Sequence, residues 1–138
     1  MADDCLFCGI VEGSVPSQTI DSDERTVAFM DINPATPGHA LVIPRAHSAD
    51  LLDISDADLE RTMLASRRLA ERMKATLDCD GINVLNCCGA AAWQTVFHFH
   101  VHVVPRYRDD PLKLPWIPES GDPDEIAALA DRIRGEEG

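Results

Sequence analysis

Hydrophobic and polar residues follow two regular periods in this chain, and each period predicts a type of element. Residues 97–103 read Phe-His-Phe-His-Val-His-Val and alternate strictly, as the two faces of a β-strand do. Within residues 56–77, apolar positions recur about every 3.6 residues and predict a helix with one buried face. Those positions are Leu59, Met63, Ala70, Met73 and Leu77. A short apolar run, Leu-Val-Ile, predicts a buried strand within residues 39–44.

Turn-forming and capping residues set the limits of the predicted elements. Ser55 is placed to cap the long helix, with Asp58 three residues later in the position of a capping-box acid. Asp122 and Pro123 are placed as the N-cap and first residue of a last helix that reaches about Arg134. The other predicted elements are a short helix over 5–12, a hairpin with strands at 19–20 and 26–29, a strand at 82–85, and a long strand over 95–104 that a proline at 105 ends.

Together these elements predict an α+β fold. Its sheet is expected to be mostly antiparallel and five-stranded, with one long helix, a short amino-terminal helix and a carboxy-terminal helix. At 138 residues the chain is long enough for one domain with a hydrophobic core and short for two. We expect a single domain over residues 1–138, with its core in about residues 5–107 and a tail and helix in residues 108–138.

Composition and charge narrow the classes of partner. The chain is 45% hydrophobic and 26% charged, which is typical of a globular protein. A net charge of -12 repels a nucleic-acid backbone, so no nucleic-acid partner is expected. The amino terminus lacks the basic and apolar segments of a secretory signal, and no apolar stretch approaches the roughly 20 residues that span a bilayer. We therefore expect a cytoplasmic protein that does not bind membranes.

The alternating run carries the candidate chemistry. Strand geometry places His98, His100 and His102 on one side, with neighbouring histidine Cα atoms roughly 6.6 Å apart. Imidazole titrates near neutrality and has two distinct nitrogens, so one nitrogen bound to a carbonyl leaves the other free to attack phosphorus. A metal site of three histidines and a set of hydrogen-bonded structural histidines are the alternatives. The pattern favours catalysis.

The same run resembles the signature of the histidine-triad family. Three further segments are similar to that family: residues 29–34, Phe-Met-Asp-Ile-Asn-Pro; residues 37–44, Pro-Gly-His-Ala-Leu-Val-Ile-Pro; and residues 94–97, Gln-Thr-Val-Phe. The resemblance extends from about residue 5 to residue 107, and it is greatest to the nucleotide hydrolase and phosphoramidase branch. It implies cleavage of a bond to the phosphorus of a nucleoside monophosphate.

The resemblance also implies roles for individual residues. His100 is expected to be the nucleophile, with His102 on the phosphate and Gln94 contributing donors to the catalytic site. The expected nucleotide-binding residues are Phe7, Phe29, Asp31, Ile32, His39, Leu41, Asn86, Thr95 and Trp116. Asp31 is expected to bind the ribose hydroxyls, and four apolar residues of this set are expected to wall the base pocket. A homodimer is expected, with Trp116 reaching the partner's cleft.

Two positions depart from the family pattern. Relatives usually have Asn and then Gly before a small-residue loop, whereas this chain has Asn86-Cys87-Cys88-Gly89. Counting back from the triad without a gap places Cys87 at the usual Asn position, so Asn86 and Cys87 are both candidates for it. Trp93 stands where many relatives have Gly, and its ring either reshapes the phosphate loop or packs outward.

Cys5 and Cys8 form a C-x-x-C pair at helical spacing. By itself this pair fits half of a zinc site, a redox pair or chance. Zinc needs two more ligands, for which His47 and His98 are candidates, and the resemblance to zinc-bearing bacterial members supports them. We expect a structural zinc and no organic cofactor. The expected partner is a purine nucleotide or nucleotide conjugate. A nucleotide-sensing protein with vestigial catalysis and a zinc-carrying interaction protein are the competing functions.

Overall fold

A computed structural model describes residues 4–135; residues 1–3 and 136–138, at the two ends of the expected domain, lie outside the described part. The helices are α1 (Leu6–Glu12), α2 (Asp56–Leu77) and α3 (Pro123–Arg134). The strands are β1 (Thr19–Ser22), β2 (Thr26–Met30), β3 (Ala40–Pro44), β4 (Gly81–Leu85) and β5 (Val101–Arg106). A single 3-10 turn, Ala90–Ala92, lies between β4 and β5.

The five strands form one sheet in the order β1-β2-β3-β5-β4. Each neighbouring pair is antiparallel, with Phe29 opposite Leu41 in β2 and β3, and Leu41 opposite His102 in β3 and β5. The α+β fold with a five-stranded antiparallel sheet is therefore confirmed. Strand β5 lies between β3 and β4, so the histidine-bearing strand is not at the edge of the sheet.

The helix ends follow the local signals in the sequence. Ser55 Oγ accepts a hydrogen bond from the Asp58 N–H at 3.2 Å, which satisfies one of the free donors at the start of α2. The Asp122 side chain caps α3 in the same way, with Pro123 as the first helical residue. Helix α1 ends at Gly13, whose φ of 86° is the left-handed conformation that glycine adopts at least cost.

The two faces of the sheet carry different helices. On one face, α2 packs against a core that includes Ala28, Val42, Val101 and Val103. On the other face, Phe7 of α1 packs with a second apolar cluster formed by Val27, Phe29, Leu41 and Ile43. Because Val101 and Val103 point toward α2, strand alternation places the imidazole of His102 on the α1 side. This side holds the candidate site.

The buried face of α2 differs from the predicted one. The buried residues are Thr62, Ala65, Ser66, Leu69 and Met73, whereas Met63 and Leu77 of the predicted face are exposed. Small polar residues are buried here because Thr62 and Ser66 donate their hydroxyls to helix carbonyls at 2.6 and 2.8 Å. A pattern drawn from large apolar residues alone misses them.

The predicted strand over residues 95–104 was also wrong at both ends. Strand β5 begins at Val101, because residues 95–100 form no ladder, and the Phe99 N–H donates instead to the Ser48 carbonyl at 2.7 Å. It continues through Pro105 to Arg106. Proline is tolerated there because Pro105 lies beyond the last residue pair between β3 and β5, Ala40 with Val103, so no ladder acceptor on that side loses its donor.

Candidate active site

A cleft of about 200 Å³ opens on the α1 side of the sheet. Eight of the predicted site residues line it, namely Phe7, Phe29, Asp31, Ile32, Leu41, Thr95, His100 and His102. The apolar members come from α1, β2 and β3, whereas the histidines come from the segment that enters β5. None of the residues that line this cleft in the described part of the chain is Lys or Arg. An anion in the cleft therefore has no permanently cationic side chain of these residues to bind.

The protonation of His100 follows from its hydrogen bond. His100 Nδ1 lies 2.7 Å from the carbonyl oxygen of His98, and a carbonyl can only accept. Nδ1 therefore carries the proton, and Nε2 has a free lone pair. Burial lowers the pKa of His100, which favours the neutral ring. The Phe7 ring packs edge-on against the His100 ring, with 5.1 Å between the two centroids. The geometry suits a nucleophilic imidazole.

His39, which resemblance places near the nucleotide, fixes the protonation of His102. The Ala35 N–H donates to His39 Nδ1 at 2.9 Å, so the His39 proton is on Nε2. His39 Nε2 lies 2.9 Å from His102 Nδ1, which must therefore accept, leaving the His102 proton on Nε2. Burial and repulsion from the neighbouring histidines lower the pKa of His102 to about 4. His102 is thus a neutral hydrogen-bond donor at neutral pH.

Asp31 lies beside this histidine pair. Its Oδ2 is 3.4 Å from His39 Nε2, and its Oδ1 accepts a hydrogen bond from the Asn33 N–H at 2.7 Å. Asp31, His39 and His102 together resemble a metal site in their spacing. The protonation argues against a metal, because binding through His39 Nε2 would move the proton to Nδ1, where the Ala35 N–H already points. Ala35, His39 and His102 form a hydrogen-bonded chain, and the Asp31 carboxylate lies beside it.

A second cluster does fit a metal. The Sγ atoms of Cys5 and Cys8 lie 3.5 and 3.6 Å from His98 Nδ1, and Cys8 Sγ lies 3.3 Å from His47 Nδ1. Zn–S bonds of about 2.3 Å and Zn–N bonds of about 2.1 Å in a tetrahedron separate such ligand atoms by about 3.5 Å. His98 Nε2 donates to the Pro44 carbonyl at 2.8 Å, so its Nδ1 lone pair is free to bind. The residues present therefore fit a four-ligand zinc.

Comparison with known proteins identifies the family. Residues 12–109 match the HIT domain. The chain belongs to the HIT domain family. SMU.412c from Streptococcus mutans UA159 is 36% identical in its crystal structure, covering 98% of this chain and 86% of that one, with a TM-score of 0.92. A Zn-bound histidine triad family protein from Mycobacterium smegmatis is 38% identical, covering 96% and 98%, with a TM-score of 0.77. A histidine triad nucleotide-binding protein from Candida albicans is 31% identical, covering 96% of each chain, with a TM-score of 0.84.

Within this HIT domain, Asn86 forms a hydrogen bond to the histidine segment. Asn86 Nδ2 donates to the His100 carbonyl at 2.9 Å, whereas Cys87 is buried and burial raises the pKa of its thiol. Asn86 therefore anchors the main chain of His100. It does not line the cleft, so a direct contact with nucleotide stays a prediction.

Gln94 braces the loop before the triad. Its Nε2 donates to the carbonyls of Ala49 and Val96 at 2.8 and 3.1 Å, and its Oε1 accepts from the Gly89 N–H at 2.7 Å. Each polar atom of the side chain is thus bound to the main chain. Gln94 does not line the cleft, and its catalytic role stays a prediction.

The two tryptophans lie outside the cleft of this chain. Trp93 has a φ of 76°, a left-handed conformation that explains why glycine suits this position, and its ring is 65% exposed. It therefore packs outward, as one of the two alternatives predicted. Trp116 is exposed in the tail and does not line this cleft, so its contact with nucleotide stays a prediction.

Sequence reasoning missed part of the cleft wall. Ile10 and Val15 line the cleft beside Phe7, as does Met30 at the end of β2. Ile10 could have been found, because it stands three residues after Phe7 and so shares its helix face.

Of the described residues, none belongs to a helix both long and apolar enough to cross a membrane.

Proposed function

We propose that the protein is a nucleotide hydrolase or transferase that works through a covalent nucleotidyl-His100 intermediate. The supporting observation is the hydrogen bond from His100 Nδ1 to the His98 carbonyl, which leaves the Nε2 lone pair free on a residue of the cleft. Membership of the HIT domain family supports the reaction class. The substrates proposed are nucleoside phosphoramidates, acyl adenylates and dinucleoside polyphosphates.

In the first step His100 Nε2 attacks the phosphorus. A P–N bond to Nε2 forms, and the bond to the leaving group breaks; the leaving group keeps that electron pair and takes a proton from solvent. The modified ring carries a positive charge because Nδ1 keeps its proton. The His98 carbonyl, which accepts that Nδ1–H at 2.7 Å, stabilises this charge.

In the second step water attacks the phosphorus. The P–Nε2 bond breaks, its electron pair returns to Nε2, and the proton of the water goes to solvent. The products are a nucleoside monophosphate and neutral His100. A transferase reaction follows the same course with another acceptor in place of water.

His102 is proposed to bind a nonbridging phosphate oxygen through its Nε2–H. The direction of this donor depends on His39, whose own proton is directed at His102 Nδ1. Preorganised donors of this kind stabilise charge that develops in the transition state. This role suits a cleft that, among residues 4–135, no Lys or Arg lines.

The remainder of the cleft is proposed to hold a purine nucleoside. Phe7, Phe29, Ile32 and Leu41 offer apolar contacts to a base, and Asp31 offers a carboxylate to the ribose hydroxyls. The similar protein from Candida albicans is described as nucleotide-binding, which supports this assignment. We propose that the protein acts in the cytoplasm as a homodimer, with Trp116 of each copy reaching the cleft of the other.

Zinc is proposed as a structural ion held by Cys5, Cys8, His47 and His98. With four protein ligands it has no open position, so it joins the amino-terminal segment to the histidine segment and does not activate water. The Zn-bound relative from Mycobacterium smegmatis supports this choice of metal.

The test is single-turnover mixing with adenosine 5'-phosphoramidate. We expect release of adenosine monophosphate, with a transient adenylyl adduct on the peptide that contains His100, detected by mass spectrometry after rapid quenching. His100→Asn should abolish the adduct and turnover while nucleotide binding is retained. Full activity in that variant excludes the mechanism. Tight binding by the natural chain without measurable product supports the nucleotide-sensing function instead.

A further inference from the structure

Trp93 combines a strained main chain with an exposed aromatic ring. Among residues 4–135, the residues other than glycine with a positive φ are Asp78 and Trp93, at 52° and 76°. Asp78 ends helix α2, and aspartate enters this left-handed region at moderate cost, whereas a bulky residue there is an outlier. Trp93 is 65% exposed, so burial within this chain offsets little of the strain. Outliers of this kind are concentrated at functional sites.

Hydrogen bonds brace the loop that carries Trp93. The Trp93 N–H donates to the Ala90 carbonyl at 3.0 Å, and the Gln94 N–H donates to the Gly89 carbonyl at 3.1 Å. The Gln94 side chain joins the same loop to Gly89 and to Ala49. The main chain under the ring is therefore ordered before a ligand arrives, which lowers the entropy cost of a contact with the ring.

This loop borders the end of the cleft where the phosphorus is proposed to lie. Thr95 and Val96 line the cleft with His100 and His102, whereas the walls proposed for the base come from α1, β2 and β3. Trp93 precedes Thr95 by two residues, so their Cα atoms are at most about 7 Å apart. The nucleoside is proposed to fill the cleft, so a leaving group extends beyond it. Trp93 is thus placed to contact a leaving group and not the nucleoside.

The charges around the cleft favour a leaving group that carries no phosphate. In the described part of the chain, the residues that line the cleft belong to residues 1–44 and 75–105. The one Lys or Arg in these two ranges is Arg25, which pairs with Asp58 at 3.0 Å. The net charge of the chain is -12. A polyphosphate leaving group would therefore be repelled, with little compensation from cationic side chains.

An amine with an apolar body meets the opposite conditions. The Ala49 carbonyl, which accepts from Gln94, precedes Asp50 and Asp53. The carboxylates of these two residues accept hydrogen bonds from main-chain N–H groups at 3.0 and 2.8 Å and keep their negative charge for an ammonium ion. Tryptophan binds cations more strongly than the other aromatic side chains do, and its ring offers a large flat apolar surface.

We propose that Trp93 is a specificity residue that contacts the apolar body of an amine leaving group. The inference rests on the proposed function and narrows it to phosphoramidates whose amine carries an aromatic substituent. As the bond from His100 Nε2 to phosphorus forms, the P–N bond of the substrate breaks and its nitrogen keeps the electron pair. That nitrogen takes one proton from solvent to become an amine and a second to become an ammonium ion, which departs beside the Trp93 ring.

Hydrolysis of two phosphoramidates tests this role. The compounds are adenosine 5'-phosphoramidate and its N-benzyl derivative, and the readout is the ratio of kcat/KM for the benzyl compound to kcat/KM for the unsubstituted one. Effects of a substitution on folding or on His100 are shared by both compounds and cancel in this ratio. We expect the ratio to fall at least about fivefold in Trp93→Gly, whereas Trp93→Phe should keep most of it.

The loop itself provides the matched control. Glycine suits the left-handed conformation, so Trp93→Gly removes the ring without adding strain. Ala92→Gly makes the same loop more flexible but keeps the ring, and it should retain the ratio of the natural chain. An equal fall of the ratio in Ala92→Gly and Trp93→Gly would assign the effect to the loop and overturn the inference.

Binding measurements separate failure of this inference from failure of the proposed function. Calorimetry on His100→Asn, with and without Trp93→Gly, gives the Kd of both compounds. Absence of turnover of both compounds by the natural chain excludes the proposed function, whereas a preference for the benzyl compound that disappears with Trp93 still supports the contact. A ratio that Trp93→Gly leaves unchanged, in turnover or, where turnover is absent, in binding, overturns the inference.

Discussion

His39 Nε2 lies 2.9 Å from His102 Nδ1, and this contact makes the three histidines of the alternating run chemically different. His102 carries its proton on Nε2 because Nδ1 accepts from His39. His100 carries its proton on Nδ1 because that atom donates to the His98 carbonyl. Each ring therefore offers a different atom to its surroundings.

Nitrogen-15 chemical shifts should report these protonation states directly. At pH 7 we expect the Nε2–H form for His102 and the Nδ1–H form for His100. His39→Ala removes the donor that selects the His102 form, so His102 should then populate both forms. Two-bond proton–nitrogen spectra make the measurement, with assignments from single-histidine variants. A dominant Nδ1–H form of His102 in the natural chain would refute the assignment.

The low pKa of His102 should make stability depend on pH. The native pKa is about 4 and the usual value is 6.5, so between these values the unfolded chain binds a proton that the native chain does not. Stability from this group is fully present above about pH 6.5 and is lost as pH falls to about 4. The loss amounts to up to about 3 kcal/mol.

Urea unfolding at pH 7 and pH 4.5 with a chelator present should reveal the contribution of His102 to the free energy of unfolding. The drop in unfolding free energy should be smaller in His102→Gln than in the natural chain, since glutamine does not titrate. Comparison of the two pH dependences cancels the contribution of other groups. Identical drops in both proteins would contradict the low pKa.

Asn86 should act as a positioning residue for the nucleophile. Asn86→Ala removes the 2.9 Å hydrogen bond to the His100 carbonyl. We expect the activation free energy to rise by about 1.4 kcal/mol, which lowers kcat by about tenfold. KM should change little, because Asn86 does not line the cleft. Cys87→Ala is the neighbouring control and should keep kcat within about threefold. Steady-state kinetics of both variants show whether Asn86 or Cys87 positions His100.

Removal of the metal ligands should cost stability. At free zinc about 1,000-fold above its dissociation constant, a bound ion adds about 4 kcal/mol to the free energy of unfolding. Cys8→Ser should lose the equivalent of zinc found by elemental analysis and melt at a lower temperature. Cys88→Ser, a cysteine outside the cluster, should retain both. Equal zinc content in the two variants would exclude this site.

The sequence predicted features that depend on near neighbours. The caps of α2 and α3 follow from Ser55 and Asp122, which act within one helical turn. The start of β5 could not be predicted from near neighbours, because a strand needs a partner strand as well as alternation. Strand β3 pairs with β5 only from Ala40 to Val42. The alternation of residues 97–100 reports which way side chains point without reporting a ladder.

The contacts within the site depend on residues far apart in the chain. Cys5 and His98 are 93 positions apart, and resemblance rather than spacing joined them in one predicted site. The proton on His39 depends on the Ala35 N–H, whose direction is set by the loop before β3. No pattern of residue types encodes that direction. The protonation of His102 therefore required the structure.

His98 contacts the cysteines through its ring, and it contacts His100 through its main-chain carbonyl. No side-chain substitution at this position can delete the second contact, because every residue has that carbonyl. Loss of the His98 ring therefore leaves the nucleophile its carbonyl partner but removes a ring from beside Phe7, whose own ring lies 6.0 Å from that of His98 and 5.1 Å from that of His100 between centroids. The cysteine cluster and the nucleophile are thus joined by two routes, one through a peptide unit and one through an aromatic ring.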